Sequence, residues 1–98
     1  MHEMLNTLEL IEQTGLLRAL VLLSEKKRFV TELKRSAFNP RGIGSQSTVT
    51  KVREILSRLE LATEQIEEGP RPRTFLVITE KGRLAAAKIK ELVEIVED

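Results

Sequence analysis

Residues 45–61, SQSTVTKVREILSRLEL, constrain this chain more than any other stretch. Val49, Val52, Leu56 and Leu59 recur at intervals of three, four and three, with Ile55 beside them. That spacing lays one apolar stripe along an α-helix. The opposite side carries Gln46, Ser47, Thr50, Lys51, Arg53, Glu54 and Arg58. Its first two turns hold short donors and acceptors rather than the Glu/Lys mixture of an ordinary solvated helix. Such groups, followed by cations, suit the edge of a base pair and the phosphates beside it. The pattern predicts a helix that packs on a core and offers its other side to the major groove of DNA. An amphipathic helix with an inert polar back fits the same stripe, and the helix alone does not separate the two.

The charge distribution bears on that choice. The net charge is only +1, yet residues 26–58 hold nine Lys or Arg against two Glu. Residues 1–25 and 59–98 are both acidic on balance. A concentrated positive zone on a nearly neutral chain is the footprint of a polyanion-binding surface, unless folding interleaves the charges. Only three aromatics are present, Phe29, Phe38 and Phe75. That scarcity argues against single-stranded nucleic acid, which is held on stacking platforms.

Other classes are excluded in turn. With no Cys, neither disulfides nor thiolate metal sites form, and the single His, at position 2, builds no cluster. No metal and no cofactor is expected. The chain shows no Gly-rich phosphate loop, no His beside a nucleophile and no locatable carboxylate pair, so no enzyme is expected. No apolar run approaches the ~20 residues of a membrane span. Residues 1–12 contain three Glu and no basic leader, so no signal peptide is expected. These features predict a cytoplasmic, nucleoid-associated protein with no membrane partner.

Taken in order, residues 1–98 predict a single domain that is mainly α with a small β-hairpin. Residues 1–13 form a helical extension in which Met1, Met4, Leu8 and Ile11 keep a heptad-like rhythm, widened by Leu5. Thr14 is placed to cap a second helix, GLLRALVLLSE, apolar nearly all round. Phe29 and Val30 suit a short extended piece. Thr31 then caps a short helix, ELKRSA, with Leu33 and Ala37 inward. Residues 38–44 hold one Pro and two Gly and break it, delivering the chain to Ser45 as cap of the 45–61 helix. Alternation over 62–67 and again over 73–79, across the turn Gly69-Pro70-Arg71-Pro72, predicts a hairpin. Thr79 caps a last helix over 80–98. Its Ala85, Ile89, Leu92 and Val96 are spaced as a heptad seam. The seam predicts a homodimer through this helix, with a contribution from the N-terminal segment left open; the alternative is a face of the internal core. Gly82 reads as a backbone requirement at the junction.

This succession resembles the winged helix-turn-helix domain, and most nearly the small prokaryotic regulators of the MarR, ArsR and PadR type. SQSTVTKVREILSRLEL is similar to their recognition helix and its exit into the wing. FLVITEKGR is similar to their junction between strand and last helix. The likeness covers about residues 14–90. It implies major-groove contacts from Gln46, Ser47, Thr50 and Lys51, with Glu54 a further candidate. It implies phosphate contacts from Ser45, Arg53 and Arg58, and wing contacts from Arg71 and Arg73. Glu67 and Glu68, just before the wing tip, depart from that pattern and would repel phosphate. No Cys or His cluster offers a metal or redox switch of the ArsR kind. The implied function is double-stranded DNA binding as a homodimeric transcription regulator, sequence-specific or weakly so, with half-sites roughly 34 Å apart. Two alternatives stay open: a winged helix used for protein interaction in a transcription or processing complex, and a chromatin-like architectural protein.

Overall fold

Leu16, Ala19, Leu20, Leu22 and Leu23 are all buried, and the helix that carries them is the hub of the fold. The structure, a computed structural model, describes residues 2–98. Its elements run α1 (His2–Ile11), α2 (Leu16–Glu25), β1 (Arg28–Phe29), a 3₁₀ turn (Val30–Glu32), α3 (Gln46–Arg58), β2 (Ala62–Glu67), β3 (Arg73–Ile78) and α4 (Glu80–Glu97). The three strands form one antiparallel sheet in the order β1-β3-β2. This is an α+β winged-helix architecture with a long last helix, as the order of sequence signals predicts.

The core is aliphatic. Val49, Val52 and Leu56 of α3 are fully buried against α2, together with Leu33, Ile43, Leu61 and Leu76. Each fully buried Val or Leu of this kind contributes ~1.5–3 kcal/mol. The stripe read from the 45–61 spacing is therefore the face that fixes how α3 lies.

Four local expectations change. α2 begins one residue later than the cap at Thr14 implies. Gly15, at φ 87°, is its N-cap and makes no side-chain capping bond. A left-handed residue reverses the chain there, which Thr would resist and Gly does not. The extended piece is Arg28–Phe29, one residue earlier than expected, and it pairs with β3 as a third strand. The helix expected over ELKRSA does not form. The 3₁₀ turn ends at Glu32, whose carboxylate accepts from the Phe29 backbone N–H at 2.8 Å. The backbone beyond it bonds elsewhere: Ile43 N–H donates to Leu33, Arg35 N–H to Gly44, and Ser36 and Asn39 bond each other. The Asn39 amide also donates to the carbonyls of Glu32 and Lys34, at 2.6 and 2.9 Å. Those competing partners outbid the i→i−4 ladder of an isolated two-turn helix. Leu33 is buried as expected, whereas Ala37 is exposed. Fourth, the seam of α4 divides. Ala85 and Ile89 pack against the protein's own core, while Leu92 and Val96 are 55% and 74% exposed.

α1 is amphipathic without a matching surface in its own chain. Met4, Leu5 and Leu8 are exposed, and Ile11 alone of the expected rhythm packs on the core; Met1 lies outside the described residues. No helix among the described residues is long and apolar enough to cross a membrane.

Candidate nucleic-acid interface

Two junctions hold α3 in place. At its start the Ser45 side chain accepts from the Thr48 backbone N–H, the expected cap. At its end the Leu61 N–H donates to Leu56 and the Glu60 N–H to Ser57, a Schellman pair. Glu60 supplies the left-handed residue, at φ 59°, where Gly is usual. The same end is tied to α4. Thr79 Oγ1 donates to the Glu60 carbonyl at 2.7 Å and accepts from the Gly82 N–H at 3.0 Å. Lys81 Nζ donates to the Leu59 carbonyl at 2.9 Å. Thr79 is thus the N-cap the sequence predicts, and it also fastens α4 to the exit of α3. A Cβ at Gly82 would collide with the Leu61 carbonyl oxygen, which gives the junction glycine its reason.

So fixed, α3 keeps its polar side wet. Gln46, Ser47, Thr50, Lys51, Glu54, Ser57 and Arg58 are all exposed. The Thr50 hydroxyl donates to the Gln46 carbonyl at 3.0 Å and retains its acceptor lone pairs. Lys51 and Arg58 have no ion-pair partner among the described residues. Ser45 is exposed too, with its oxygen shared among Ser47, Thr48 and the cap bond.

Arg53 behaves differently. It is drawn off the outer face by Glu64 of β2, with Nε and Nη2 donating to the two carboxylate oxygens, each at 2.8 Å. Hydrogen bonding from Arg53 holds the Glu64 carboxyl below its ordinary value, against the opposing pull of partial burial; charge attraction adds to it. The same bonds raise the Arg53 guanidinium. Thr50, Arg53, Glu54, Ser57, Arg58 and Glu64 line one shallow recess between α3 and the wing.

In the wing, Arg71 is exposed in the turn between β2 and β3. Arg73 sits at the start of β3, opposite Glu67 in the register. Its guanidinium lies 3.6 Å from the centre of the Phe29 ring. Phe29 in turn meets Phe75 edge-on at 5.8 Å, and Lys27 covers Phe75 at 4.4 Å. The three-stranded sheet thus pins two cations over two aromatic rings.

Much of the basic middle third is engaged inside the protein. Arg28 and Arg41 both pair with Glu25, and Arg35 donates to the Gly42 carbonyl. Glu64 and Phe29 are the residues the sequence did not single out. Alternation along β2 puts Glu64 on the same side of the sheet as Ala62, facing α3. The partnership of Phe29 with Arg73 depends on a non-local register that no local pattern reports.

No protein-family model matches this chain, and no curated protein matches it. Two solved structures do. The circadian clock associated protein Pex from Anabaena superposes with a TM-score of 0.60 at 11% identity, covering 88% of this chain and 83% of that one. Pex from Synechococcus gives 0.63 at 14% identity, covering 83% and 80%. The likeness lies in the fold.

Proposed function

We propose that this protein binds double-stranded DNA as a transcription regulator. α3 enters the major groove, and the wing of β2 and β3 reaches the adjacent backbone or minor groove. The observation that carries the proposal is the outer side of α3. Every side chain there from Gln46 to Arg58 that is not in the core stripe is polar, and Lys51 and Arg58 lack internal partners. Gln46, Ser47, Thr50 and Lys51 offer donors and acceptors to base edges. Ser45, Arg58, Arg71 and Arg73 supply phosphate contacts. A protein-interaction module would display apolar anchors on that side, and α3 has none. The Pex structures lend the proposal a precedent for this fold in a circadian clock associated protein. The resemblance of SQSTVTKVREILSRLEL and FLVITEKGR to stretches of the MarR, ArsR and PadR regulators points the same way, and the proposal carries with it cytoplasmic residence on the nucleoid.

We place the working unit as a homodimer. Leu92 and Val96 on α4, and Met4, Leu5 and Leu8 on α1, are apolar side chains without cover in one chain. Ala85 and Ile89 continue the same seam inward. A two-fold dimer would set two copies of α3 in successive major grooves.

Fluorescence anisotropy with a random duplex at several salt concentrations tests the proposal. If Arg58, Arg71 and Arg73 each neutralise one phosphate, log K against log salt slopes at roughly −3 per protomer. Arg58→Ala should make it shallower by about one. Binding that ignores salt would remove the proposal.

A further inference from the structure

Arg53 carries the guanidinium nearest the middle of α3's outer side, and it is not presented to solvent as its neighbours are. The fork to Glu64 uses two charge-assisted bonds of 2.8 Å and leaves the two side chains 29% and 33% exposed. Parallel bidentate bonds fix direction as well as distance. They join the recognition helix to the first strand of the wing at one spacing. Glu64 pairs with Leu76 across the sheet, so its position is set by the ladder rather than by a free loop.

We propose that Glu64 is a positioning and specificity residue for duplex binding: it holds Arg53 as a strut to the wing and keeps that guanidinium off the phosphates. The inference rests on the DNA-binding proposal above and revises the phosphate role expected for Arg53. A cation on a phosphate strengthens binding to every sequence alike. Occupying it with an internal carboxylate lowers sequence-blind affinity and leaves discrimination to Gln46, Ser47, Thr50, Lys51 and Glu54. The same carboxylate sets where Arg71 and Arg73 stand relative to α3. The competing mechanism is exchange, in which Arg53 leaves Glu64 for a phosphate when DNA arrives. The two mechanisms count counterions differently.

The test compares wild type, Glu64→Gln and Arg53→Met on a random duplex and on a sequence selected by the wild type. Circular dichroism checks that each variant folds. Releasing Arg53 in Glu64→Gln should steepen the salt slope by about 0.9 and raise random-duplex affinity roughly five- to tenfold near ~0.1 M salt. The preference for the selected sequence should fall. Arg53→Met should keep the wild-type slope. An unchanged slope in Glu64→Gln, or a slope shallower by about one in Arg53→Met, overturns the role given to Glu64 while leaving DNA binding intact. Failure of the wild type to bind duplex overturns both.

Discussion

Gly82→Ala is the substitution whose sign the structure decides. Gly82 lies in the first turn of α4, and on helix propensity alone Ala there should stabilise the protein by ~0.8–1 kcal/mol. The structure predicts the reverse. The added Cβ would run into the Leu61 carbonyl oxygen and approach Ile78 Cγ1 to 2.6 Å. The Leu61 carbonyl cannot move aside freely, because it accepts the Thr79 N–H at 3.0 Å. Overpacking commonly costs ~1–3 kcal/mol, and a clash with fixed backbone belongs at the top of that range. The net loss is therefore about 2 kcal/mol. For a domain near 100 residues that lowers Tm by roughly 8–16 °C. Thermal unfolding followed by circular dichroism measures it. An unchanged or higher Tm would refute the close approach of α4 to the exit of α3, and with it the account of how α3 is oriented.

Three further outcomes are expected. Glu60→Gly should stabilise the protein by roughly 0.5–1 kcal/mol in urea titration, since Gly carries the left-handed conformation that costs a β-carbon residue about 1–2 kcal/mol; a loss would contradict the Schellman geometry. Leu92→Glu should halve the mass seen by light scattering, and an unchanged dimer mass would exclude the α4 seam. The stability advantage of wild type over Glu64→Gln should depend on pH. Glu64 has a lowered folded-state pKa, so its contribution is present above the ordinary carboxylate range and fades as pH falls through the lowered value; a constant difference in Tm down into acid would count against the Arg53 fork.

Most of the fold was legible because its signals are local. The apolar intervals of α3, the Pro-bearing turn before β3 and the Thr79 cap each report on neighbours a few residues away, and all three appear where the sequence puts them. ELKRSA misled because helical spacing is a weak signal over six residues. Asn39, Ile43 and Gly44 offered its backbone other partners that spacing does not reveal. Among the candidate contacts, exposure followed from the stripe: once Val49 and Val52 are inside, Thr50 and Lys51 must be out. The engagement of individual cations did not follow. Arg53 meets Glu64 eleven residues on, and Arg73 meets Phe29 across the sheet. Charge counting along the chain therefore overstated how many cations remain available to a polyanion.

A duplex titration followed by amide NMR locates the DNA-binding face residue by residue. Gln46, Ser47, Thr50 and Lys51 should shift together with Arg71 in the wing, while Leu92 and Val96 at the far end of α4 stay in place. Shifts gathered on α4 and α1, with the outer side of α3 unmoved, would contradict it.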